Sequence, residues 1–162
     1  METVIQGLPE APGVLYGWRA RAWDEAWARR DEAAWHCRDI LEHGFRRRER
    51  ADCLLSYLSG FYGLNVAKAG FACQLAFGVS GCLDSVNVAR LGLPVNYCKG
   101  FSKLVTPAGR WRRVARYNAT IYRYGGSARL WDVWCQVMSD RYPSRFPAAW
   151  DVSAYHLQCL GV

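Results

Sequence analysis

Apolar positions recur with helical spacing along most of the chain. From Trp18 to about His43, Trp23, Trp27, Ala34 and Ile40–Leu41 return near every 3.6 residues, with Arg and Glu between them, and Gly44 is a stop. Ala51 to Leu58 repeats the pattern with Leu54, Leu55 and Leu58 on one face. A break at Gly60–Asn65 leads into Val66 to Phe77, an apolar helix containing Ala67, Ala69, Gly70 and Ala72, where small side chains permit close packing. Leu83 to Leu91 reads as a short helical piece closed by Gly92 and Pro94. After a polar loop over about 96–109, Arg110 to Tyr124 presents Trp111, Val114, Tyr117 and Ile121 inward. Gly125–Gly126 breaks that helix, and Ser127 is a suitable N-cap for the next, which runs to about Arg141. A proline-marked loop then precedes a last helix, Asp151 to Leu160.

Period-two alternation is nearly absent, so the pattern predicts an all-α fold. The expected architecture is a single compact helical domain of about six or seven helices over 18–162, with a helix-hairpin-helix at about 51–77. An irregular arm, marked by Pro9, Pro12 and several glycines, fills 1–17. Trp18, Trp23, Trp27, Trp131 and Trp134 stand at helical spacing and are expected in the core.

Composition narrows the class. Hydrophobic residues make up 51% of the 162 residues, enough to build a core rather than a disordered chain. No apolar run reaches the ~18 residues of a membrane span, and no secretory leader is visible, so no membrane partner and a cytoplasmic location are expected. The net charge is +7, and all but Lys68, Lys99 and Lys103 of the basic residues are Arg. Guanidinium forks match phosphate geometry, so a polyanion, nucleic acid first, is the expected partner. The seven Cys are scattered, the nearest pair nine positions apart at Cys73 and Cys82, and most sit in apolar runs. Zinc and iron–sulfur loops need closer ligands, so free thiols, no metal and no cofactor are expected.

The informative segment is residues 54–93, LLSYLSGFYGLNVAKAGFACQLAFGVSGCLDSVNVARLGL. A glycine-containing turn between two helices can point backbone N–H groups outward, where they and the helix dipole bind a phosphate without reading sequence. Gly63 supplies the free backbone. Asn65 stands where a second glycine is usual and tolerates positive φ. This segment resembles the core of the helix-hairpin-helix DNA glycosylase superfamily, in which a hairpin is followed by an apolar-apolar-Asp motif, matched here by Cys82-Leu83-Asp84-Ser85. The resemblance implies that Asp84 is the catalytic carboxylate facing a base extruded from duplex DNA. It also implies a backbone clamp of Gly63, Asn65, Val66, Ala67 and Lys68, with Arg90 available to phosphate. Bifunctional members carry a Schiff-base Lys at the position of Ala67. Lys68 is one residue on, about 100° around the helix, and is a second catalytic candidate. Val86 replaces a His that often follows the Asp. A branch of the superfamily attributed to viruses such as phages hypermodifies thymine, and its transferase chemistry on an activated hydroxymethyl base is an alternative.

Other residues have plainer roles beside these. Asp84 is also a good helix N-cap. Arg46, Arg47, Arg48 and Arg50 can form a solvated helix end, whereas Arg110, Arg112, Arg113 and Arg116 are dense enough to contact phosphates. Phe61 and Tyr62, in the hairpin, are candidates for a wedge that enters the base stack. Ser153 and His156, preceded by Asp151, invite a hydrolase comparison but lack a nucleophile elbow. A non-enzymatic DNA-binding or virion protein using the same hairpin completes the alternatives.

Overall fold

The computed structural model describes residues 17–98 and 106–141. Seven helices occur among them: α1 (Trp18–Ala28), α2 (Arg30–Glu42), α3 (Arg47–Leu58), α4 (Val66–Phe77), α5 (Ser85–Arg90), α6 (Pro107–Arg123) and α7 (Gly126–Arg141). No strand occurs among the described residues, so the all-α expectation holds. The arm over 1–16 and the helix expected at 151–160, with Ser153 and His156, lie outside the described residues.

α3 is the hub. It packs on α2, α4 and α6, while α7 closes against α5 and α6. Its Ala51, Leu54 and Leu55 are sealed, and they meet Ala69 and Cys73 of α4 and Val114, Tyr117 and Ile121 of α6. These positions recur three and four residues apart, which places them on one helical stripe. Each fully buried Leu contributes on the order of 1.5–3 kcal/mol. Small residues set the closest approach. A Cβ at Gly70 would overlap the Gly81 carbonyl oxygen, so α4 can lie against the α4–α5 loop only with glycine there.

Several expected boundaries shift. The long first helix divides at Arg29, whose amide still bonds to Glu25 O (3.1 Å). The Arg46–Arg50 cluster is not a separate segment: Arg47 opens α3, and the Glu49 carboxylate accepts from the Arg46 amide at 2.9 Å. Asp84 is the N-cap of α5, and Thr106 caps α6, with Pro107 in its first turn. Ser127 is not a cap. It lies in the first turn of α7, buried, after two positive-φ glycines, Gly125 and Gly126.

The aromatic core expectation needs correction. Trp131 is buried, but Trp18 is 50% exposed, and Trp27 and Trp111 also face solvent. Trp23 and Trp27 stack on each other, with centroids 6.3 Å apart, at the edge of α1, a helix with no buried residue. Helical spacing reports a shared face, and on α1 the residues that lie over the hairpin are Trp18 and Ala22, outside the core.

Candidate functional site around Asp84

The loop from Gly78 to Asp84 leaves α4 through a left-handed glycine (Gly78, φ 62°) and contains a second left-handed residue, Ser80 (φ 61°). A non-glycine residue in that region is held there by its surroundings. Here the surroundings are polar side chains from neighbouring helices, each 1% exposed or less. Gln74 accepts from the Cys82 amide (3.1 Å) and donates to the Ser127 carbonyl (2.8 Å). The Tyr117 hydroxyl accepts from the Leu83 amide (2.8 Å) and donates to the Gly81 carbonyl (2.9 Å). Ser80 Oγ donates to Asn118 Oδ1 (2.6 Å), and Asn118 Nδ2 donates to Asp52 Oδ1 (2.7 Å). Asn87 Nδ2 donates to the Cys82 carbonyl (2.7 Å). Buried polar groups cost stability unless bonded, and Gln74, Asn87, Tyr117 and Asn118 converge on one short loop.

That loop presents Asp84 to an open cleft of about 460 Å³, within the usual ~300–1,000 Å³ of small-ligand sites. Asp84 Oδ1 accepts from the Asn87 amide (2.8 Å), the capping bond, and Oδ2 accepts from the Trp134 indole (3.1 Å). Asp84 is therefore a cap, with its second oxygen in the cleft wall. Trp131 and Trp134 stack with centroids 5.4 Å apart, and Phe71 lies 5.9 Å from Trp131. All three line the cleft. Burial, and after it the Asp84 charge, pushes the Cys82 thiol up to about 12, and the same two causes push Cys98 up to about 11. Both therefore stay protonated near neutrality and are poor nucleophiles. Cys98 Sγ donates to the Leu83 carbonyl (3.0 Å).

The hairpin differs from its expected form. Gly63 takes the positive φ foreseen for it (79°), but a Cβ there would stand 2.7 Å from Ala22 Cβ, so α1 lies directly over the turn. The Tyr62 amide donates to Glu25 Oε1 (3.1 Å) and the Leu64 amide to the Phe61 carbonyl (3.1 Å). A carboxylate thus occupies a donor that a phosphate would need and repels an incoming anion. Asn65 does not replace a glycine: at φ −71° it is the N-cap of α4, accepting from the Lys68 amide (2.9 Å). Asn65, Ala67 and Lys68 line the Asp84 cleft, so the start of α4 serves the cleft rather than the turn. Val66 is buried. Lys68 Nζ lies 4.4 Å from the centre of the Trp18 ring and donates to the Gly63 carbonyl (3.3 Å).

Phe61 is buried edge-on to Tyr57 with the Arg29 guanidinium over its ring, so it packs the hairpin and is not a free wedge. Tyr62 is exposed, with Arg21 4.1 Å over its ring. Arg90 is exposed in the last turn of α5. Arg112 and Arg116 are exposed on α6, Arg113 is half-buried, and half-buried Arg110 reaches toward Gly60. None of these Arg side chains lines the cleft.

Sequence reasoning missed Trp134, Gln74, Asn87, Tyr117 and Asn118 as parts of the site. Gln74, Asn87 and Asn118 carried a readable signal, a polar residue within an apolar helical run. Among the described residues, no three His, Cys, Asp or Glu side chains gather as a metal site, and no helix is long and apolar enough to cross a membrane. Comparison with protein-family models, with curated proteins and with solved structures returned no match.

Proposed function

We propose that this protein binds DNA and receives a base, extruded from the duplex, in the cleft beside Asp84. The observation that carries the proposal is the carboxylate itself. It stands in an open cleft walled by two stacked indoles, on a loop fixed by four buried polar side chains. A helix cap alone needs no such support.

The stacked indoles and Phe71 offer apolar faces to a planar ring. The α4 N-terminus and Lys68 lie at the same cleft and favour the phosphate beside the extruded nucleotide. Extrusion costs a few kcal/mol, offset by such contacts. Once a ligand displaces the Trp134 indole, Asp84 Oδ2 can stabilise positive charge developing on the sugar or orient an attacking hydroxyl. The Lys68 ammonium sits on Trp18 and the Gly63 carbonyl rather than on Asp84, which favours chemistry without a Schiff base. The covered hairpin shifts the phosphate-binding role to the start of α4 and to the exposed Arg residues of α6.

The test is a duplex carrying modified pyrimidines, incubated with the protein and digested to nucleosides for mass analysis. Base loss supports a glycosylase, and mass gain supports the transferase alternative. Asp84→Asn is expected to abolish either while leaving DNA affinity within a few fold. Full turnover by that variant removes Asp84 from the chemistry. DNA binding without any change in the bases leaves a non-enzymatic binder.

A further inference from the structure

A second cleft, of about 320 Å³, opens between α3 and α6 and involves none of the residues lining the Asp84 cleft. Arg48 and Arg123 flank it, and Asp52, Asn118 and Tyr122 complete its polar lining. Ala115 and Ala119 provide the room, since larger side chains on that face of α6 would fill the opening. Both arginines are exposed, and neither has a carboxylate partner among the described residues. The Arg48 guanidinium lies 5.1 Å over the Tyr122 ring, which orients it without consuming its N–H groups. The Tyr122 hydroxyl is buried without a hydrogen-bond partner among the described residues. Asp52 Oδ1 accepts from Asn118 Nδ2, and Asp52 lines the opening with its second oxygen unclaimed by that bond.

We propose that this cleft is a binding site for a protonated phosphate group, inorganic phosphate or a phosphomonoester, held between Arg48 and Arg123 with Asp52 accepting from its P–OH. Two guanidiniums outweigh one carboxylate, so the cleft attracts a monoanion. Asp52 then makes the choice among anions. An ionised carboxylate only accepts hydrogen bonds. It pairs with the hydroxyl of a protonated phosphate and repels sulfate or a phosphodiester, which carry no proton to offer. Discrimination of this kind comes from the repulsive contact with the wrong ligand. Burial raises the Asp52 carboxyl above its ordinary range, and the Asn118 bond opposes that rise and favours the ionised form.

The experiment is calorimetric titration of the full chain at pH about 6, where about half of a phosphomonoester keeps its second proton. The probes are inorganic phosphate, sulfate, a nucleoside 5′-monophosphate, and a short oligonucleotide with and without a 5′-phosphate. Saturable phosphate binding, with sulfate at least about tenfold weaker, is expected. Binding of the free monophosphate, or tighter binding of the oligonucleotide with a 5′-phosphate than without one and loss of that gain in Arg123→Gln, supports the site and identifies its source. Arg123→Gln, a surface change, is expected to weaken phosphate binding at least about tenfold. Asp52→Asn still accepts from Asn118 and turns a donor toward the cleft, so sulfate is expected to bind as well as phosphate. Asp84→Asn is expected to change nothing here. Absence of saturation, or equal affinity for sulfate and phosphate, overturns the proposal. So does phosphate binding that survives Arg123→Gln unchanged.

Discussion

One hydroxyl has an outsized part in placing Asp84. Tyr117 is fully buried, and its oxygen serves both the Leu83 amide and the Gly81 carbonyl. Burial holds its acidity well below that of a free phenol, so it remains a neutral donor through the physiological range. Tyr117→Phe keeps the ring and orphans two backbone groups. Leaving a buried group unpaired costs on the order of 1–3 kcal/mol, so urea unfolding should show a loss of about that size. A change too small to resolve would mean that water replaces the hydroxyl. The tyrosine is visible in the sequence as an inner-face residue of an amphipathic helix. Its partner, a loop contributed from 34 positions earlier, is not, because periodicity identifies a face without identifying what the face meets.

Between elements, the closest approach is α4 against the loop it leads into. Gly70→Ala places a methyl on the Gly81 carbonyl. Overpacking of a tight contact costs ~1–3 kcal/mol, more than the ~1 kcal/mol gained from the better helix propensity of alanine. A net loss of stability is therefore expected in thermal unfolding, and a stabilised variant would show that the two segments can separate. The existence of α3, α4, α6 and α7 is legible from spacing alone. Spacing misplaces the α1 tryptophans. Trp18 and Ala22 sit over Gly63, and a helix that covers a turn shows the same periodicity as one that enters a core. The division at Arg29 is hidden because no Gly or Pro marks it.

At the scale of the whole molecule, the charge of +7 lies mostly on arginine, with Arg112 and Arg116 exposed along α6 and Arg46 and Arg47 exposed at the start of α3. If this surface holds duplex DNA, binding must fall steeply with salt, because each neutralised phosphate releases counterions. Replacing Arg112 and Arg116 with Ala should lower the slope of log K against log salt by about 0.9 for each phosphate that is no longer neutralised. A slope near zero in the parent protein would remove DNA as the partner. The hydrogen-bonded run from Ser80 through Asn118 to Asp52 bears on how a ligand could enter. An amide bonded at both ends cannot rotate without breaking both bonds, so the loop bearing Asp84 shares the stiffness of α3 and α6 and is unsuited to act as a door. Across the cleft the carboxylate accepts from the Trp134 indole, which is itself stacked on Trp131, so admission to the cleft should require that tryptophan to swing, with the acid staying still.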